Sequence, residues 1–170
     1  MIKFYYEVNY VIFYRFDEVD KENVEDRHFI GYFPSKKRAM QVIKRYSRYD
    51  GADESNFQII KRRVSFEGEE PKELYQSVHE YSIKVPGDLY VDYLYVFAPK
   101  ATKKEAEELC DSLRNKKKYR KQENRIYYHS EDGFAIIKRQ INPYFFPFSP
   151  QRSTELPVQQ IVDQDEKRTT

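Results

Sequence analysis

Two segments of the chain carry apolar residues at positions i, i+3, i+4 and i+7, the spacing that places four side chains on one face of a helix. These positions are Ala39, Val42, Ile43 and Tyr46 in the first segment and Ala106, Leu109, Cys110 and Leu113 in the second. Ser35 and Thr102 precede the segments, and their hydroxyl oxygens can accept hydrogen bonds from the first amides of a helix. The pattern therefore predicts two amphipathic helices with matching apolar faces.

Runs rich in aromatic and β-branched residues flank both predicted helices and indicate strands. Residues 9–16 and 28–35 precede the first helix, and residues 77–85 and 93–102 precede the second. A nearly identical segment follows each helix: Phe-Gln-Ile-Ile-Lys-Arg at 57–62 and Phe-Ala-Ile-Ile-Lys-Arg at 134–139. Each half of the chain therefore reads as strand, strand, helix, strand.

The repeated segment alternates as a strand inside a sheet does. In the first copy, one face carries Phe57, Ile59 and Lys61, and the other carries Gln58, Ile60 and Arg62. Apolar residues begin both faces, and a basic pair ends them. We therefore expect a core strand in each half, with the basic pairs emerging at the edge of the sheet. The pairs are Lys61 with Arg62 and Lys138 with Arg139.

These elements predict an α+β fold of two tandem ββαβ units, packed into one pseudo-symmetric body of antiparallel sheet plus two helices. One such unit alone would bury too little surface to be stable. The expected boundaries are 1–66 for the first unit, 67–74 for a connector, 75–148 for the second unit and 149–170 for a disordered tail. The second unit holds an insert whose residues 125–129 are expected to form a hairpin with the repeated strand.

The first half combines a tyrosine-rich strand, an aromatic-glycine-aromatic strand, a serine-capped helix with an early alanine, and a closing strand. The residues that carry this combination are Ile30, Gly31, Tyr32, Ser35 and Ala39. In these features it resembles a short bacterial domain family of unknown function. The second half lacks the glycine and is matched only through the internal repeat. The resemblance implies a ββαβ fold and brings no activity, catalytic residue or cofactor.

Composition favours a folded protein outside the membrane and the secretory pathway. The chain has 170 residues, with 16 tyrosines, 12 phenylalanines, 1 cysteine and a formal net charge of +2. No run approaches the roughly 18 apolar residues of a membrane span, and the first residues alternate charged and aromatic side chains, unlike a signal peptide. The single Cys110 cannot form an internal disulfide. We therefore expect a cytoplasmic protein without membrane contact.

No motif predicts a metal site, a cofactor or a nucleophile. His28, His79 and His129 are far apart, and none has a second ligand at the spacing of a zinc site. Cys110 lies in an apolar helical stripe, where a thiol is buried and unreactive. No glycine-rich phosphate-binding loop occurs. We therefore expect no cofactor and no bound metal.

One nuclease pattern has a loose counterpart in the first half. Tyr10, Phe29, Gly31 and Arg38 resemble the GIY-YIG nucleases, and that resemblance implies a hairpin, a helix and a catalytic arginine. The glycine before the first tyrosine is absent, and Phe29 stands where the second tyrosine would supply a hydroxyl. We assign no catalytic residue, expect no enzymatic activity, and keep a degenerate nuclease as a remote alternative.

An aromatic segment near the end of the chain suggests a partner-binding role. Tyr144, Phe145, Phe146 and Phe148 lie between prolines, which oppose the continuation of a helix or a sheet. Such a segment either packs over the domain or binds a partner. We expect a non-enzymatic protein-interaction module, a regulator or inhibitor of another protein, that is a monomer or a homodimer.

A nucleic-acid-binding role is the alternative. Segment 116–128 interleaves basic residues with tyrosines, and its candidate binding residues are Lys116, Lys117, Lys118, Tyr119 and Arg120. Cations of this kind contact phosphates, while tyrosine rings stack on unpaired bases. The near-neutral net charge and the acidic segment 17–26, expected to form a loop, argue against this role.

Overall fold

The computed structural model describes residues 1–15, 23–49, 51–87 and 89–143. The described chain is an α+β protein with two antiparallel sheets and two helices, as the sequence predicts. Three features considered above lie outside the described residues. They are the aromatic segment with Tyr144, Phe145, Phe146 and Phe148, the tail 149–170, and positions 17–22 of the acidic segment.

The first sheet contains β1 (Ile2–Arg15), β2 (Asn23–Phe33) and β3 (Phe57–Ser65). β1 is central and pairs antiparallel with β2 on one side and with β3 on the other. β1 begins at Ile2 rather than at residue 9, and it is this earlier part that pairs with most of β3. Glu25 and Asp26, expected in an acidic loop, belong instead to β2.

The second sheet contains β4 (Glu73–Val85), β5 (Leu89–Val96), β6 (Arg125–Tyr127) and β7 (Phe134–Gln140). β4 is central and pairs antiparallel with all three other strands. β5 lies on one side of β4. β6 and β7 lie in line on the other side, because β6 pairs with residues 81–83 of β4 and β7 pairs with residues 73–79.

The insert in the second half is not a hairpin with β7, and that prediction was wrong. β6 and β7 run in the same direction along one edge of β4, and residues 128–133 loop out between them. Tyr128 N donates to Glu80 O at 3.2 Å, and Glu80 N donates to Gly133 O at 3.0 Å, so both ends of the loop are held at the same point of β4. β6 and β7 therefore occupy the place of one edge strand, which the loop 128–133 interrupts.

α1 (Lys36–Tyr46) packs on the first sheet and α2 (Lys103–Arg114) packs on the second. All four predicted stripe positions of α1 are buried, and in α2 three are buried while Leu109 is half-buried. Ser35 Oγ accepts from Arg38 N at 3.1 Å, and Thr102 forms a reciprocal capping box with Glu105. The two helices and their N-caps are therefore confirmed.

The two copies of the repeated segment occupy corresponding places in strand order. The first copy lies in β3 and pairs with β1, while the second copy lies in β7 and pairs with β4. In each sheet the strand before the helix, β2 or β5, pairs with the opposite edge of the central strand. A pseudo-symmetric arrangement of the two whole units stays a prediction.

The basic pairs do not both emerge at a sheet edge, and the prediction was wrong for the arginines. Arg139 is 4% exposed, and the side chain of Arg62 is 18% exposed. Both arginines lie on strand faces turned towards the interior, where buried polar groups accept their hydrogen bonds. Lys61 remains exposed, and Lys138 lies 3.7 Å from the Glu73 carboxylate at the surface.

A buried polar layer lies between the two sheets. On the first sheet, Arg62 Nη2 donates to Glu7 Oε2 at 3.1 Å, and Asn9 Nδ2 donates to the same oxygen at 2.9 Å. On the second sheet, Arg139 Nε donates to Gln76 Oε1 at 3.0 Å.

The polar layer connects the two sheets through Tyr32. Gln76 Nε2 donates to the Tyr32 hydroxyl at 2.9 Å, and burial raises the pKa of Tyr32 well above its usual value. Tyr32 also forms a parallel bridge with Ile141, and Asn142 N donates to Tyr32 O at 2.8 Å. The second copy of the repeat thus ends against the first sheet.

Candidate nucleic-acid interface

Tyrosine rings gather on the face of the second sheet that carries α2. In the strand register Tyr81 lies opposite both Tyr93 and Tyr127, and Tyr95 lies opposite His79. Residues that are directly opposite share a face of the sheet. The helix covers the part of this face near Ser77, whose hydroxyl donates to Ala106 O at 3.3 Å. The tyrosines lie on the same face of the sheet but outside the area that α2 covers.

The rings of Tyr81, Tyr93, Tyr95 and Tyr127 form what we name the tyrosine platform. The centroids of Tyr81 and Tyr93 are 5.2 Å apart with an interplanar angle of 17°, and Tyr81 and Tyr95 are 6.3 Å apart at 27°. Tyr127 tilts against Tyr81 at 6.0 Å and 55°. Tyr81 is buried, whereas the other three rings are half-buried and reach the surface.

Two cations lie on the tyrosine platform. Lys118 Nζ is 4.4 Å from the centroid of Tyr95, and the Arg125 guanidinium is 4.1 Å from the centroid of Tyr81. Both distances fall within the range of a cation–π interaction, in which the negative face of the ring attracts the positive charge. The platform therefore combines aromatic surface with fixed positive charge.

A basic loop, residues 116–124, is held against the platform by hydrogen bonds to its backbone. Gln122 N donates to the Tyr127 hydroxyl at 2.9 Å, and that hydroxyl donates to Arg120 O at 3.4 Å. Arg125 Nη1 donates to Lys118 O at 3.4 Å. The exposed cations of the loop are Lys116, Lys117, Lys118, Arg120 and Lys121. The loop thus presents its charges beside the tyrosine rings.

The structure divides the predicted binding residues of this region into exposed cations and one buried tyrosine. Lys116, Lys117, Lys118 and Arg120 are exposed around the platform, as a phosphate-binding role requires. Tyr119 is 9% exposed and packs edge-on against Phe97, His79, Tyr95 and Phe134. Its ring therefore belongs to the core and is not available to stack on a base.

Sequence reasoning missed the platform tyrosines of β4 and β5. Tyr93 and Tyr95 are two residues apart, so period two predicts that they share a face of a strand. Tyr81 joins them only through the register between β4 and β5. The spacing was visible in the sequence, but the register was not.

His79 lies beneath the edge of the platform and is neutral. Its Nε2 lies 2.9 Å from the carbonyl oxygen of Asp132, an acceptor, so this nitrogen carries the proton. Burial among aromatic rings lowers the pKa of His79, because the charged form loses its hydration. His79 therefore supports the platform by packing and does not add to its positive charge.

The opposite face of β4 holds a second group of polar side chains. His129 Nε2 lies 2.7 Å from Glu80 Oε2, and both side chains are buried. The Ser82 hydroxyl contacts the Asp92 carboxylate and lies 2.6 Å from the Tyr128 hydroxyl. Ser82 is thus partnered by an acid and a phenol, not by the imidazole base that activates a serine nucleophile.

The residues that resemble a nuclease pattern are divided between the two faces of the first sheet. Tyr10 lies opposite His28 on the α1 side of the first sheet and packs against Phe57 at 4.8 Å. Phe29 lies on the other face, where its ring contacts the Arg139 guanidinium at 4.3 Å. Arg38 Nε donates to Asn142 Oδ1 at 2.8 Å. Tyr10 and Phe29 therefore lie on opposite faces of the first sheet, and the degenerate nuclease stays a remote prediction.

Other chemistry receives no support from the part of the chain that the structure describes. Within those residues, no cluster of three or more His, Cys, Asp or Glu side chains is arranged to hold a metal ion. Cys110 is 1% exposed, and burial raises the pKa of its thiol. Neither described helix is long and apolar enough to cross a membrane.

Comparisons of the chain with protein-family models, with curated proteins and with solved structures find no match. The resemblance of the first half to a short bacterial family therefore stays a prediction.

Proposed function

We propose that this protein is a non-enzymatic binding protein that takes up single-stranded nucleic acid on the tyrosine platform. The observation that carries the proposal is the placement of three half-exposed tyrosine rings beside the exposed cations of the basic loop. Aromatic faces stack on bases of any sequence, and neighbouring lysines and arginines neutralise the phosphates that join them. Binding of this kind tolerates many sequences.

Charge supports the proposal locally although the whole molecule is nearly neutral. Within the described residues, the ion pairs on this face join Arg114 to Asp111 and Asp132, Lys103 to Glu107, and Lys138 to Glu73, and none of them includes a cation of the basic loop. The basic loop itself carries Glu123 as its one acidic side chain. The loop cations therefore keep a local positive field that attracts a polyanion.

Salt dependence provides the first test. If the five exposed loop cations each neutralise one phosphate, log K should fall with log salt at a slope of about −3.5, or about 100-fold between 50 and 200 mM. Fluorescence anisotropy with labelled 20-mers of single-stranded RNA and DNA measures this slope. The absence of binding to both oligonucleotides at 50 mM salt would refute the proposal.

Variants separate the contributions of charge and of ring stacking. Lys116→Glu, Lys117→Glu and Lys121→Glu together should flatten the salt slope by at least about 2 and leave the melting temperature unchanged. The matched control reverses three exposed lysines on the remote helix α1: Lys36, Lys37 and Lys44. Equal loss of affinity in the two triple variants would place binding elsewhere.

Stacking is tested on Tyr93, a half-buried ring of the platform. Tyr93→Leu keeps apolar volume but removes the aromatic face, so we expect affinity to fall by about 1–3 kcal/mol with the salt slope unchanged. An unchanged affinity, with the fold intact by circular dichroism, would contradict a stacking platform.

The expected protein-interaction role stays a second candidate function. Its aromatic segment lies outside the described residues, but the outer edge of β3 is an independent observation in its favour. We further propose a cytoplasmic location, since the single cysteine is buried in the core, as suits a reducing compartment.

A further inference from the structure

β3 is an edge strand of the first sheet. It pairs with β1 on one side, and in the described part of the chain no strand pairs with its other side. An open edge presents backbone donors and acceptors that another extended chain can use.

The hydrogen-bond pattern at the start of β1 identifies the outward groups. Met1 N donates to Phe66 O at 2.9 Å, and Phe66 N donates to Met1 O at 3.0 Å, so these two residues exchange both bonds. Exchanging pairs alternate with non-exchanging pairs in an antiparallel ladder, and the β1–β3 register continues without a shift. The residues whose backbone groups point away from β1 are therefore Phe57, Ile59, Lys61, Arg63 and Ser65. The amide of Phe57 already donates to Glu54 O, so the open amides are those of Ile59, Lys61, Arg63 and Ser65.

The side chains beside this edge are basic and apolar. Lys61 and Arg63 are exposed on the strand, and Lys61 Nζ lies 4.2 Å from the centroid of Phe4 on the neighbouring strand. Phe4 is 42% exposed and Ile2 is 51% exposed. An added strand would lay alternate side chains beside these two cations.

A second copy of this chain is a poor occupant of the edge. Antiparallel self-pairing around these residues places Lys61 and Arg63 of one copy against the same basic residues of the other, and like charges opposite each other are destabilising. Acidic side chains at alternate positions of a partner strand would instead face opposite charges.

We propose that the outer edge of β3 binds an extended acidic segment of a partner protein by strand addition. This interaction goes beyond the nucleic-acid binding proposed for the second sheet and uses none of its residues. Backbone hydrogen bonds to Ile59, Lys61, Arg63 and Ser65 supply affinity, and Lys61 and Arg63 select acidic side chains.

The first test is amide exchange in the full chain, followed by NMR. Without a partner, the four open amides of Ile59, Lys61, Arg63 and Ser65 should exchange faster than the intervening amides of Gln58, Ile60, Arg62 and Val64, which β1 protects. A ten-residue peptide of alternating glutamate and valine should slow exchange of the open amides at least tenfold. Slowing that depends on protein concentration without peptide would indicate self-association and overturn the proposal.

Two control peptides separate strand addition from general attraction of charge. An identical peptide that is N-methylated at alternate residues keeps its charge but loses backbone donors, so its binding should fall at least tenfold. A lysine-valine peptide should not bind the natural chain but should bind the double variant Lys61→Glu, Arg63→Glu. Equal binding of the methylated and unmethylated peptides, or no binding of the glutamate-valine peptide, would overturn the proposal.

Discussion

Replacing Arg62 by methionine should destabilise the protein by about 3 kcal/mol. The Glu7 carboxylate is fully buried and accepts hydrogen bonds from Arg62 and Asn9. Removing one partner of a buried ion pair costs about 3–5 kcal/mol, because the other charge is left uncompensated. We expect the lower end, since the Arg62 side chain keeps 18% exposure. The melting temperature should fall by about 6–12 °C in a domain of this size.

Two further variants test that reasoning by urea denaturation at fixed pH. Arg63→Met removes the same charge from the neighbouring, exposed position and should change stability by less than about 0.5 kcal/mol. Glu7→Gln should partly rescue Arg62→Met, because Gln76 holds the corresponding position of the second sheet as an amide. An Arg62→Met cost below about 1 kcal/mol, or a double variant no more stable than Arg62→Met, would refute the reasoning.

Two other predictions concern the second sheet. Because burial lowers the pKa of His79, its neutral ring stabilises the fold fully above about pH 6.5, and this contribution declines as pH falls through the lowered pKa. His79→Phe should therefore reduce the pH dependence of the free energy of unfolding below about pH 6.5, measured by urea denaturation at several pH values. An unchanged pH dependence would contradict this assignment. Gly133→Ala should cost more stability than Gly87→Ala, although both glycines have positive φ. A Cβ added at Gly133 would lie 2.7 Å from Glu80 O, whereas a Cβ added at Gly87 has no described atom within 4 Å apart from its chain neighbours. Equal decreases in the melting temperature of the two variants would show that the loop 128–133 shifts to accommodate the added Cβ.

Features encoded within two helical turns of the chain were predictable from the sequence. The stripe that begins at Ala39 and the hydroxyl of Ser35 relate residues that are three to seven positions apart, so periodicity and capping identified α1. The early part of β1 was missed because Lys3 and Glu7 interrupt its apolar pattern. Glu7 can be buried there only because Arg62, distant in sequence, lies beside it.

Features that depend on register could not be predicted in the same way. The turn residues before Gly133 suit a hairpin, but both β6 and β7 find their hydrogen-bond partners on β4. The candidate site was only partly predictable for the same reason. The basic loop was visible as a run of charged residues, whereas Tyr81 and Tyr93 come together only when β4 and β5 pair. Burial of Tyr119 likewise follows from the position of α2 and not from its basic neighbours.

The strand order has a consequence for synthesis on the ribosome. The first sheet can close once Ser65 has left the exit tunnel, because β3 is the last strand that β1 requires. Its inner face, with Tyr5 and Tyr32, is completed only by Leu74, Gln76 and finally Ile141. Translation from Ser65 to Ile141 takes about 4 to 15 s at usual elongation rates. During that interval the nascent first half presents an aromatic face that molecular chaperones can bind.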